Sequence, residues 1–385
     1  MTADASSRSR WRTASGRSGE ARRQRRDVII AAVTSVVEPQ TSLTVAELDL
    51  LDDVEISSRG SVTVTMRVLV RDPVDNAALL GAVRHAVQLV EPDVDLRIEE
   101  TVLDERRRIA VGQLLRSRAE ASRLGSQRQV YAIASGKGGV GKSTVTANLA
   151  VALAQQGRRV GILDADVWGY SIPRLMGVRR APVAVAGMML PVPAHGVQLM
   201  SVGFFVEDDE PVLWRGPMLH KAIEQFTQDV AWGELDVLLV DLPPGTGDVQ
   251  MSLLEQLPEA AFVVVTTPQA AAVEVAARVG RMALDARLPV AGVVENMAAV
   301  ACGCCGATTD VFGSDGGADL AARLGAPVLG SVPLDAATRI AGDVGTPVVL
   351  SGAESPAAQV FSRIAVDLPV VKRSLLGRSL PLSVV

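Results

Sequence analysis

Residues 136–144 read Gly136-Lys137-Gly138-Gly139-Val140-Gly141-Lys142-Ser143-Thr144. Glycines at this spacing let successive backbone N–H groups curl around phosphate oxygens, and a following helix N-terminus adds its dipole. In that arrangement Lys142 reaches the β- and γ-phosphates, and the Ser143 hydroxyl holds Mg²⁺. Gly136, Gly138 and Gly141 also satisfy the G-x-G-x-x-G spacing of dinucleotide sites. The Gly-Lys-Ser ending, with no lone ribose-binding acid after a β-α-β partner, favours a triphosphate loop. Lys137 is a second cation inside the loop. It cannot easily fold back onto phosphates cradled by its own loop, so it is placed to reach a partner chain's nucleotide as a charge clamp in trans.

Two further sets of residues carry chemistry. Asp164-Ala165-Asp166 ends the apolar run 159–163, and Asp241 ends the run Asp236–Val240. Carboxylates at the carboxyl ends of neighbouring strands are where nucleotide chemistry sits in an open α/β sheet. Asp241 after an apolar strand is a Walker B acid, binding Mg²⁺ through water. The loop Pro243-Pro244-Gly245-Thr246-Gly247 that follows has a stiff start and a flexible exit, suited to moving when a γ-phosphate leaves. The three cysteines are Cys302, Cys304 and Cys305. Cys302 and Cys305 form a C-x-x-C pair that fills half of a four-coordinate site, so a symmetric dimer would complete one bridging site on its two-fold axis. The chemistry of two thiolates leaves an iron–sulfur cluster, zinc and a redox dithiol open.

The elements that must position these residues follow from the apolar pattern. From residue 130 onward strands alternate with helices, which implies a mostly parallel sheet with helices on both faces. The strand before the glycine loop, the run ending at Asp164, Asp236–Val240, Phe262–Thr267 and 289–294 would form its centre. Residues 28–118 read as a smaller α/β domain, with a helix over 28–37, an alternating strand over 61–70, a helix over 77–90, a strand over 94–102 and a charged helix over 104–118. The fold class is therefore α/β, a P-loop NTPase preceded by a small α/β domain. Residues 1–27, rich in Arg and Ser, read as a disordered basic tail. Residues 119–129 read as a polar linker, 130–370 as the nucleotide domain and 371–385 as a short tail.

Composition narrows the partners. The chain has 385 residues, 48% of them hydrophobic, and a formal net charge of −5, which argues against a constitutive nucleic-acid binder. Aromatics make up 3%, too few for a stacking platform on single strands. No long uninterrupted apolar run suggests a membrane span, and the few, clustered thiols point to a reducing, cytoplasmic compartment.

Together KGGVGKST, DADVWGYSIP, Trp214-Arg215-Gly216-Pro217, DLPPGTGD and the C-x-x-C resemble the Mrp/ApbC-type iron–sulfur cluster carriers, deviant Walker A ATPases of the MinD/Mrp class. The resemblance implies that Asp166 orients the attacking water, that Asp164 supports the Mg²⁺ shell and that Asn296 reads the adenine edge. It further implies that Lys137 acts across a homodimer and that Cys302 and Cys305 carry a [4Fe–4S] cluster between subunits. Partners would be apo iron–sulfur clients and scaffold proteins, with no nucleic acid and no membrane. Residues 28–118 are similar to the small iron–sulfur-assembly-like domain fused before many such proteins. Here Glu38-Pro39-Gln40 and Asp72-Pro73 stand where Asp-Pro-Glu and Cys-Pro are usual, which implies docking or structural work without a metal. A ParA/MinD-like positioning ATPase and a zinc or nickel metallochaperone are the rival readings.

Overall fold

A computed structural model describes residues 7–70, 73–125, 128–166, 169, 171–205, 216–246, 250, 255–301, 307–351 and 355–371. The expectations that fall on Tyr170, Trp214, Arg215, Gly247, Asp248, Cys302, Cys304, Cys305 and most of the tail 371–385 lie outside these residues. The chain divides into two compact units, residues 1–118 with 183–189, and residues 119–182 with 190–385.

In the first unit, α1 (Ser7–Thr34) and α2 (Pro73–Val90) accompany β1 (Leu51–Ile56), β2 (Val62–Val68) and β3 (Leu96–Val102), and α3 (Glu105–Gly125) follows. The sheet order is β1-β2-β3, antiparallel then parallel. β2 alternates buried and half-buried residues along its length, as a strand with one covered face must. β1 carries no such signal. Its sequence LDDVEI buries Val54 alone, and Asp52 and Asp53 are held by Arg67 and Arg26.

Helix α1 spans Ser7–Thr34, which overlaps the stretch expected as a disordered basic tail. Arg25 donates to both carboxylate oxygens of Glu91 at 2.7 and 2.6 Å, and Arg26 to the Val54 carbonyl at 2.7 Å. Fixed partners at the end of this basic run favour an ordered helix that composition alone does not reveal. The expected linker over 119–129 is likewise helical as far as Gly125, as the end of α3. The hairpin β6 (Val183–Val185) and β7 (Met188–Leu190) turns through Ala186 and Gly187, both at positive φ, as a two-residue hairpin loop requires.

The second unit contains β4 (Gln129–Ser135), α4 (Lys142–Gln155), β5 (Val160–Asp164), the short α5 (Ile172–Leu175), β8 (Val192–Ala194), β9 (Val197–Ser201) and α6 (Gly216–Gln228). After them come β10 (Val237–Asp241), β11 (Ala261–Thr266), α7 (Ala270–Asp285), β12 (Val290–Asn296), β13 (Val300–Ala301), β14 (Thr308–Thr309), α8 (Gly316–Leu324), β15 (Val328–Val332), α9 (Ala336–Val344) and α10 (Pro356–Asp367). The eight-stranded sheet has the order β15-β12-β11-β4-β10-β5-β9-β8. Its pairings are parallel except for the edge strand β8. Strands β4, β5, β10 and β11 are buried almost end to end, the signature of a sheet covered on both faces.

The β4-to-β5 and β11-to-β12 crossovers run in opposite directions along the sheet. Right-handed connections therefore set α4 and α7 on opposite faces and open a crevice at the carboxyl end of β4. Tyr131, Leu149, Leu153, Ile162, Leu239 and Phe361 are fully buried in the core on the α4 side. No helix among the described residues is long and apolar enough to cross a membrane.

Candidate nucleotide site

The crevice is where the glycine loop lies. β4 ends at Ser135, and the Ser135 hydroxyl donates to the Lys137 carbonyl at 3.1 Å. The Ser135 carbonyl accepts from the Gly245 N–H at 2.9 Å, which ties the Pro-Pro-Gly loop to the glycine loop. Gly139 and Gly141 both take φ of 82°, where a side chain is strained. Gly136 faces a different constraint: a Cβ there would lie 2.4 Å from the backbone of α7. The loop bounds a cavity of about 330 Å³ lined by residues 137–144 together with Asp166, Ser171 and Pro244.

Beneath the loop, one carboxylate gathers three donors. Asp241 Oδ2 accepts from Lys142 Nζ at 2.8 Å and from Ser143 Oγ at 2.6 Å, while its Oδ1 accepts from Thr146 Oγ1 at 2.7 Å. Lys142 also pairs with Asp166 at 3.2 Å, and both side chains are buried. Burial works against the lysine charge, but the Asp241 and Asp166 carboxylates more than offset it and hold the ammonium above its ordinary range. The chain's register makes this possible, since Asp241 on β10 pairs directly with Asp164 on β5.

Asp164 is a different kind of acid. It is fully buried, accepts from Ser201 Oγ at 2.8 Å and from the Asp166 N–H at 3.2 Å, and does not line the cavity. Burial, and then the charge of Asp241, push its carboxyl well above the usual carboxylate range. Asp166, two residues on, does line the cavity. Of the two acids expected to work on the nucleotide, the structure brings Asp166 to the cavity and sets Asp164 behind it.

Two other expectations meet their geometry here. Lys137 Nζ donates to Gln269 Oε1 at 3.1 Å, a contact within its own chain at the start of α7. Asn296, expected to read adenine, is buried at the end of β12, does not line the cavity and donates its amide to the Val140 carbonyl at 2.8 Å. One of the two amide hydrogens is therefore engaged with the loop. The sequence reading missed Thr146 and Ser201. Thr146 was legible, because it lies one helical turn after Lys142 and faces the same way. Ser201 was not, since nothing local marks the end of β9 as a neighbour of Asp164.

The donor set fits a magnesium–nucleotide. A hydroxyl and a carboxylate 2.6 Å apart supply the hard oxygen ligands that Mg²⁺ takes, beside a loop of backbone N–H groups and a lysine.

The pair Cys302 and Cys305 lies outside the described residues, but its flanks do not. β13 and β14 pair antiparallel, Val300 with Thr309 and Ala301 with Thr308, and so bracket the cysteine-bearing segment.

Comparison with known proteins gives one consistent pattern. Residues 126–369 match the family described as NUBPL iron-transfer P-loop NTPases of the ParA group. The iron–sulfur cluster carrier protein of Mycobacterium leprae is 41% identical over 368 residues, covering 93% of this chain and 96% of that protein. The iron–sulfur cluster carrier protein of Synechocystis is 38% identical, covering 88% and 95% respectively. Among solved structures, a nucleotide-binding protein from Archaeoglobus fulgidus in complex with ADP is 36% identical with a TM-score of 0.51. That similarity covers 62% of this chain and 92% of the archaeal one.

Proposed function

Because the chain belongs to the family of NUBPL iron-transfer P-loop NTPases, we propose that it is an ATP-hydrolysing carrier of iron–sulfur clusters. The observation that carries the reading is the hydrogen-bonded constellation of Lys142, Ser143, Thr146 and Asp241 under a glycine loop that opens onto a cavity. The loop amides of residues 136–144 and Lys142 hold the phosphates, and Ser143 and Asp241 hold Mg²⁺. When bound, the metal neutralises charge that develops between the β- and γ-phosphates. Asp166, at the cavity wall, orients the attacking water, and Asp164 keeps Asp166 and Asp241 in place from behind.

Lys137 would act in trans. It leaves Gln269 and reaches the partner's nucleotide when two copies meet, which makes hydrolysis depend on a homodimer. The cargo is a [4Fe–4S] cluster, held by Cys302 and Cys305 of each copy and passed to apo iron–sulfur clients or received from scaffold proteins. A reducing cytoplasm keeps those thiols available.

The test is anaerobic reconstitution of the full chain with iron and sulfide, followed by transfer to an apo client. The parent retains about two iron atoms per chain. A Cys302→Ser, Cys305→Ser double variant keeps ATP hydrolysis but loses cargo and transfer. If that variant matured the client as well as the parent does, the carrier reading would fail.

A further inference from the structure

Asp241 is fully buried, and its two carboxylate oxygens are served by different kinds of donor. On Oδ2 are Lys142 and Ser143, which both line the cavity. On Oδ1 is Thr146, which is fully buried and does not line it.

Thr146 stands one turn after Lys142 on α4, so the two side chains share a helix face. Its hydroxyl has a single hydrogen and two acceptors in reach, Asp241 Oδ1 at 2.7 Å and the Lys142 carbonyl at 3.0 Å. The carboxylate is nearer and charged, so the hydrogen goes to it. Contact with the carbonyl one turn back is one that helical threonines ordinarily make, so the donor is aimed at Asp241 without strain. Val145, Ala147 and Leu149 are buried around it, which holds this turn of α4 in the core. When the cavity fills with a magnesium–nucleotide, Lys142 turns to the phosphates and Ser143 to the metal, and Oδ2 loses both donors. Oδ1 keeps its own.

We infer that Thr146 is a positioning residue for Asp241: it keeps its bond as Lys142 and Ser143 leave, fixes the plane of the carboxylate and so sets the affinity for Mg²⁺. Two physical points carry this. Asp241 has a second carboxyl group beside it, Asp164 in register on β5, and a buried oxygen left without a donor bears its full desolvation cost. The donor also stands on a buried helical turn rather than in the glycine loop, so movement of the loop does not carry it away. The inference rests on the nucleotide-binding reading of the loop.

The experiment uses the full chain as parent, Thr146→Val and Thr146→Ser. Valine keeps the branched shape and removes the donor, whereas serine keeps the donor and removes a methyl group. Thr146→Ala, a better helix former, carries the same readings if the valine variant does not fold. Calorimetric titration with ADP, once with Mg²⁺ and once with a chelator, is the first reading. The parent binds ADP more tightly with Mg²⁺. In Thr146→Val the affinity with chelator matches the parent's, while the gain from Mg²⁺ shrinks by about tenfold. Thr146→Ser keeps the parent's gain.

The second reading is phosphate release from ATP. The valine variant needs about tenfold more Mg²⁺ to reach half its maximal rate, and its KM for ATP at saturating Mg²⁺ stays as in the parent. The inference is overturned if the valine variant keeps the parent's gain from Mg²⁺, or if serine loses as much of it as valine. It is also overturned if ADP affinity falls equally with and without Mg²⁺, which would make Thr146 a packing residue under the loop, or if the parent shows no gain. A parent that binds ADP under neither condition would instead remove the nucleotide reading beneath it.

Discussion

The two units bury ionisable groups to opposite ends. In the first, Glu38 is 3% exposed, and its carboxylate accepts the Gln40 N–H at 3.1 Å and the Thr41 N–H at 2.7 Å. Asn76 likewise bonds the Val70 carbonyl and Glu100 of the same unit. In the second unit Lys142, Asp164, Asp166 and Asp241 converge from the loop and the ends of adjacent parallel strands, so that carboxylates crowd one another and share one lysine. A buried charge satisfied by its own turn is architecture. A set of buried charges held together by strand register, with two of its members lining a cavity, is a place where a charged ligand changes the balance.

That contrast can be broken in three ways. The largest effect is expected from Lys142→Ala, which removes the cation shared by Asp241 and Asp166. ATP turnover, measured as phosphate release, falls by about 10²-fold or more, because a preorganised charge at the phosphates is lost. A turnover close to the parent's would place the chemistry elsewhere.

Glu38→Ala tests the other unit. It leaves the backbone donors of Gln40 and Thr41 without their acceptor, at a cost of about 1–3 kcal/mol in the hydrogen-exchange protection of residues 28–118, while ATP turnover is unchanged. A drop in turnover with protection intact would erase the distinction between the units. The pH dependence sharpens it. Burial raises the Glu38 carboxyl above its ordinary value, so the folded unit holds that proton more tightly than the unfolded chain does. This share of stability is complete below the usual carboxylate range and is lost as pH rises through the folded value. Glu38→Gln removes that decline, seen as a flatter protection-versus-pH curve.

The smallest effect belongs to Arg159, which pairs with Glu234 at 2.7 Å and with Asp236 at 2.8 Å on an exposed surface of the second unit. Arg159→Ala costs under about 1 kcal/mol in urea unfolding, since solvent already screens such pairs. A larger loss would show that charge in this unit matters away from the cavity as well.

Much of the second unit was legible in the chain because its signals are local. Continuous apolar runs ending in Asp164 and Asp241 read as buried parallel strands, and the spacing of Gly136, Gly141, Lys142 and Ser143 reads as a phosphate loop. The first unit was legible where alternation was clean, as in β2. It was not at β1, whose acids hide the pattern until Arg26 and Arg67 are seen to hold them. The three-residue strands β6, β7 and β8 and the helices α8 and α9 were also not read, because elements so short carry too few repeats of any period.

What the sequence determined by itself is which residue types stand beside which along the chain: the glycines, the lysine and serine, the acids that end apolar runs, the paired thiols. Tertiary structure alone decided which of them meet. It put Asp166 in the cavity and Asp164 behind it, joined Thr146 to Asp241, bound Lys137 to Gln269 and turned Asn296 toward Val140. The reason is that these partnerships depend on the register and crossing of strands distant in sequence, which no local pattern encodes.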